Sequence, residues 1–252
     1  MATGAQPQLF RDDGGGNWGC QVAQGRSTRH FPELRDIVKA PSESPLDSRL
    51  LQVWADLREF SRIANEVTTT KTTTTKASAT RMPISTFSKV GSSVPYRLVH
   101  LEFPPASLEE LLRLSMLAYA KTLVMRLNGF LTRLDFLANM AKPALQAQLA
   151  ARLAVRNQTP DDVNQDDQNA DQFLLWALFI TTVSLCEDNI GDNNNDDDMQ
   201  KWFRACLIQI LTVLPLRTWA EVKAALKRFL WVDLLHDRPA RVVFERVQRQ
   251  LV

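Results

Sequence analysis

Cysteine and histidine are scarce in this chain of 252 residues, three of each, and they are widely spread. Cys20, Cys186 and Cys206 form no close pair, and the histidines stand far apart. Zinc needs thiolates or imidazoles converging in a tetrahedron, usually with two of them from one close pair. No metal-ligating residue is therefore assigned. The odd cysteine count excludes a disulfide framework, and no charged, apolar leader opens the chain, so the reading is an intracellular, reduced protein. Also missing are a Gly-x-Ser-x-Gly elbow and a Gly-Lys-Ser/Thr phosphate loop, and Gly14-Gly15-Gly16 leads into no strand-helix unit. The chain is read as non-enzymatic, with no catalytic or cofactor-binding residue and no cofactor. His236 beside Asp237 is the one pair of note, and it is read as a cap at a helix C-terminus.

Long apolar runs are lacking too. The most apolar stretch, Phe173 to Cys186, spans 14 residues between carboxylates, short of the roughly 20 that cross a bilayer. It is read as a buried core helix, and no membrane contact is expected. Basic residues are absent from Asp161 to Asp198, which holds ten Asp and one Glu, a charge of −11 in a chain whose net charge is +2. The remainder therefore carries +13. Its charges are scattered over helix surfaces, which a solvated exterior explains. The run Asp188 to Asp198 offers oxygen ligands, yet no register places both the turn glycine and the bidentate glutamate of a calcium loop. It is read as an acidic loop, as is Asn157 to Asp171.

What the chain does have is helical periodicity. Apolar residues make up 45% and charged residues 23%, an ordinary globular balance that supplies a core without staples. Residues 1–45 are glycine- and proline-bearing and poor in large aliphatics, and are read as a flexible segment with one short helix in Phe31 to Val38 after Pro32. Residues 46–252 are read as one all-α, bundle-like domain. Leu50, Leu51, Trp54, Leu57, Phe60, Ile63, Ala64 and Val67 recur at helical steps behind an Asp/Ser cap, and the Thr68 to Lys76 run is read as a loop. Tyr96 to Leu101 is read as helix or turn. Ser107 and Glu110 form a capping box ahead of Leu108 to Leu127, which is apolar on nearly every face and is expected at the centre of the bundle, with Gly129 as its stop. Leu131 to Met140 and Ala144 to Val155 are expected as two helices divided by Pro143, followed by Met199 to Leu214. Thr218 to Leu235 comes next, with Thr218 and Glu221 as a capping box, a buried stripe of Trp219, Val222, Leu226, Phe229 and Leu230, and Pro239 as the stop before a last helix, Ala240 to Gln250. Asp233 and Arg241 are expected to pair across that turn.

Five blocks in this sequence follow one another in a recognisable order. They are Pro45-Leu46-Asp47-Ser48-Arg49-Leu50-Leu51 with Leu57 to Phe60; Val94-Pro95-Tyr96-Arg97-Leu98 with Leu101; Ser107-Leu108-Glu109 with Met116 to Tyr119; Leu174-Leu175-Trp176; and Leu216 to Trp219 with Phe229 to Asp233 and His236 to Pro239. Together they span about residues 40–250 and resemble the fungal-specific transcription factor domain family. The resemblance implies an all-α regulatory domain of nuclear transcription regulators, working through protein partners or a small effector. Members commonly follow a zinc binuclear cluster of six closely spaced cysteines, and the residues ahead of the first block contain only Cys20. Sequence-specific DNA binding by this chain alone is accordingly not expected. The alternatives are a free-standing interaction scaffold that has lost DNA binding and, behind it, an unrecognised enzyme.

Overall fold

The computed structural model describes residues 31–35, 37, 46–73, 84–127, 135–158, 165–185 and 198–251. The segments 1–30, 74–83, 128–134 and 159–164, most of 36–45 and the acidic run 186–197 lie outside them, and with them Cys20, His30, Cys186 and Gly129. Among the described residues every regular element is a helix: one helical turn, α1 (Pro32–Arg35), and eight longer helices. These are α2 (Ser48–Thr73), α3 (Ile84–Val99), α4 (Leu108–Leu127), α5 (Asp135–Gln158), α6 (Gln165–Leu185), α7 (Asp198–Val213), α8 (Trp219–Leu226) and α9 (Asp233–Leu251). The all-α expectation holds.

Two helices make the centre. Helix α4, with the bounds its sequence predicts, packs on α2, α3, α5, α6 and α9, and α6 packs on α4, α5, α7, α8 and α9. Residues 169–184 of α6 are buried without a break, because neighbours cover it on every side. Two helices that are greasy all round can only be satisfied in the middle, and the amphipathic ones then form the outer layer. Trp54 of α2 reaches Trp176 of α6 edge-on at 5.5 Å, linking the outer layer to the core.

Several boundaries differ from the sequence reading, each for a local reason. Helix α2 runs through Thr68 to Thr73, where a loop was expected; once a helix is nucleated, adding a residue of modest propensity costs only a fraction of a kcal/mol, about 0.7 at most. Helix α6 begins at Gln165, inside the stretch read as an acidic loop, and α5 extends to Gln158. Asp167 stands in the first turn, at the favourable end of the α6 dipole, and it and Asp171 find arginines on α5. Pro143 does not divide α5: the carbonyl its ring orphans belongs to Asn139, and both residues are exposed to water. The Ser107 hydroxyl does accept the Glu110 N–H at 3.1 Å, but the reciprocal half of that box is absent. Glu110 turns instead to Arg113, at 2.6 and 2.7 Å, and the Ser107 N–H donates to the Pro104 carbonyl.

The C-terminal region departs furthest. Helix α8 stops at Leu226, and Pro239 is an interior residue of α9 rather than a stop. Of the expected stripe, Val222, Leu226, Phe229 and Leu230 are buried and Trp219 only partly so, and the last two members lie in a turn. Periodicity could not separate these cases, since both put the same side chains inside. Helix α9 continues through Pro239 because Leu235, His236, Ala240, Val243, Phe244 and Val247 form one buried stripe, which outweighs a single lost backbone bond. Asp233 pairs with Lys223 and Lys227, and Arg241 with Glu245 one turn along, so the expected Asp233–Arg241 pair does not form.

Arg97 of α3 and Asp56 of α2 form an ion pair at 2.7 Å with side chains 1% and 2% exposed. Removing one member of such a pair leaves a buried charge facing apolar surface. Asp56→Ala should therefore cost about 3–5 kcal/mol in denaturant unfolding, and the double replacement Asp56→Leu with Arg97→Met distinctly less.

Candidate functional site

A dense set of buried polar contacts gathers around the six residues, 227–232, that join α8 to α9. Lys227 closes α8 in the right-handed region, and the Arg228 and Phe229 N–H groups donate to Ala225 and Leu226, tightening the last turn. The chain then passes through Leu230, Trp231 and Val232, all buried. A buried backbone outside helix or sheet must find partners for its N–H and C=O groups elsewhere. Here they come from three other places in the fold. The Trp176 indole of α6 donates to the Leu230 carbonyl at 2.9 Å. Asn65 of α2 spans the corner, its amide donating to the Trp231 carbonyl at 2.8 Å while its oxygen accepts the Asp233 N–H at 2.9 Å. The Val232 N–H donates to His236 Nδ1 at 2.9 Å.

His236 is fully buried in the first turn of α9, so the sequence reading of a cap at a helix C-terminus is wrong in both position and partner. Its protonation pattern follows from its neighbours. Nδ1 accepts from Val232, and the Thr122 hydroxyl, which donates to the Tyr119 carbonyl at 2.7 Å, is left to accept from Nε2 at 2.7 Å. That geometry fits the neutral ring with its hydrogen on Nε2. The ring lies 5.2 Å from that of Tyr119 and 5.0 Å from that of Trp231. Burial raises the Tyr119 hydroxyl well above the ordinary phenol range; it donates to Ser61, which in turn donates to the Leu57 carbonyl. Trp231 donates its own indole hydrogen to Asp237 at 2.9 Å, and Asp237 also receives Lys223 of α8.

Thr218 and Glu221 form the expected capping box, and the Thr218 and Arg217 N–H groups hold the exposed Glu221 carboxyl below its usual range. Of the residues with a polar role around the corner, the sequence names Tyr119, Trp176, Trp231, Asp233, His236 and Asp237, though none of them for these bonds. Asn65 and Thr122 carry no signal in the sequence, since each lies more than 100 residues from its partner and a lone polar residue in a helical stripe looks like any other.

A second polar set ties α5 to α6. Asp171 is buried and accepts from Arg152 at 3.1 Å and Arg156 at 2.7 Å, and Arg152 also reaches Asp167. With Leu149, Leu153, Gln209, Ile210 and Val213 these residues line a shallow cleft with room for about one water molecule. An ion-paired carboxylate beside apolar walls is a structural tie, and its size suits no organic substrate. Cys206, the one cysteine among the described residues, is buried on α7, and burial pushes its thiol up to about 11, with Lys142 acting against that. A thiol so raised is a poor nucleophile. Among the described residues no group of three or more His, Cys, Asp or Glu could hold a metal ion, and no helix is long and apolar enough to cross a membrane. No family model, curated protein or solved structure matches the chain.

The corner makes two demands that can be measured. The nitrogen-15 shifts of His236 should report a bare Nδ1 and a protonated Nε2; the opposite tautomer would contradict the assignment. Asn65→Ala should cost about 1–3 kcal/mol for each backbone group it leaves without its side-chain partner, read by denaturant unfolding.

Proposed function

We propose that this chain is a non-enzymatic regulatory domain related to those of fungal transcription regulators, acting in the nucleus through protein partners or a small effector held between helices. The observation that carries this reading is that blocks of the sequence resemblance, far apart in the chain, touch one another. Trp176, from the Leu174-Leu175-Trp176 block, donates to Leu230 of the last block. Tyr119, which ends the Ser107 block, lies against His236 of that same last block. Sequence blocks that match a family only in their order need not meet. Blocks that bond to one another describe a fold requirement, which is what a shared domain would retain. The buried interior around them is taken up by bonded partners, which favours binding at the outer surface over chemistry inside. This chain alone is not proposed to read DNA, since basic residues on its outer helices, such as Lys223, Lys227 and Arg241, are engaged by carboxylates.

Fusing the chain to an unrelated DNA-binding domain tests the proposal. The fusion should change expression of a cognate reporter several-fold relative to the DNA-binding domain alone, and the unfused chain should leave that reporter unchanged. A stably expressed fusion without effect would sink the regulatory reading.

A further inference from the structure

The short segment Phe31–Ile37 lies on α2 in the manner of a bound peptide. Helix α1 is a single turn, which has no stability of its own in water and takes its shape from the surface beneath it. Within it the Leu34 N–H donates to the Phe31 carbonyl at 3.0 Å and the Ile37 N–H to the Leu34 carbonyl at 3.3 Å. Leu34 is buried to 2% exposure and Glu33 to 6%. The Glu33 carboxylate accepts the Trp54 indole hydrogen at 3.4 Å and pairs with the guanidinium of Arg58, which also stands 5.9 Å from the Phe31 ring centre. Phe31 and Ile37 pack partly against the core on either side.

What α2 presents is therefore specific. Two hydrogen donors one helical turn apart, Trp54 and Arg58, receive the Glu33 carboxylate, and the leucine that follows it is buried as part of the apolar core. That arrangement selects a carboxylate immediately followed by leucine, displayed on a helical turn. Contacts other than the occupant's also hold this surface in place. Trp54 stays packed edge-on against Trp176, and the backbone bonds of α2 are internal to the helix. Eight residues separate Ile37 from Leu46, so the docked segment is covalently joined to the surface it covers and docking in cis is intramolecular. Docking in cis needs only weak intrinsic affinity, and a segment of the same chemistry on another protein, binding more tightly than that, would displace it.

We propose that the Trp54–Arg58 surface of α2 is a docking site for a short helical segment of a partner protein in which a glutamate directly precedes a leucine, with residues 31–37 occupying it in cis as the competitor. This deepens the regulatory reading by naming a class of partner. It rests on that reading only for its biological use, and the binding experiment below can fail without altering the reporter result.

The probe is a fluorescent peptide of residues 29–39, titrated into the full chain and followed by anisotropy. The double variant Glu33→Gln with Leu34→Ala, which weakens the cis occupant, should bind the peptide at least about tenfold more tightly than the unaltered chain. Adding Arg58→Ala, or using a peptide with glutamine in place of its glutamate, should remove that gain. Equal binding by the unaltered chain and the double variant, or no binding by either, would overturn the proposal. Hydrogen exchange on the unaltered chain gives an independent reading. The Leu34 and Ile37 amides should exchange at least about a hundredfold faster than those in the middle of α6, because the segment leaves without unfolding the domain. Exchange in step with α6 would mean that the segment is a fixed part of the core.

Discussion

Four consecutive residues, Phe229 to Val232, run through the interior outside any helix, and the rest of the fold is arranged to compensate for that. A buried N–H or C=O without a partner costs about 1–3 kcal/mol, a large share of the stability of any domain. The compensation comes from Trp176 of α6, Asn65 of α2 and His236 of α9, with His236 anchored in turn by Thr122 of α4. Four helices are thus tied to one corner by directional bonds, which hydrophobic contact alone would leave free to slide.

The same logic explains why the centre is built from α4 and α6. Both are apolar around most of their circumference, so neither can lie at the surface, and each supplies a polar group where the corner passes. The other buried charges among the described residues are met by opposite ones: Asp171 between Arg152 and Arg156, Glu110 with Arg113, Arg97 with Asp56, and Glu33 with Arg58. Such pairs add less to stability than their Coulomb attraction suggests, because both ions lose water, but each is costly to break. The Asp171 set ties α5 to α6 and the Arg97–Asp56 pair ties α3 to α2, while Arg113, paired with Glu110 within α4, also donates to the Leu98 carbonyl of α3.

Much of this was legible in the sequence. The all-round apolar pattern of Leu108 to Leu127 gave α4 its bounds and its central place, and the Thr218/Glu221 box marked the start of α8 correctly. What periodicity could not show was where α8 ends, since Phe229 and Leu230 are buried whether the chain is coiled or turned. Proline was misleading at 143 and 239, where helices continue because burial of the surrounding stripe, or water on the orphaned carbonyl, absorbs the loss. The corner itself was invisible for a different reason. Its partner Asn65 is 166 residues from Trp231, and nothing near Asn65 announces what it will bond. The docked turn at Pro32–Arg35 was expected as a short helix, but its buried glutamate was not, because the Trp54 and Arg58 donors that receive it belong to another helix.

If the corner is what holds the helices in register, it should open only when the whole domain does. Val232 and Asp233 provide the direct test, because their N–H groups are bonded by side chains, His236 and Asn65, and not by helical carbonyls. Native-state hydrogen exchange should find both amides as protected as those in the middle of α6, with the same dependence on denaturant. Exchange at the rate of an exposed turn, while α6 stays protected, would contradict the claim that the fold depends on this corner.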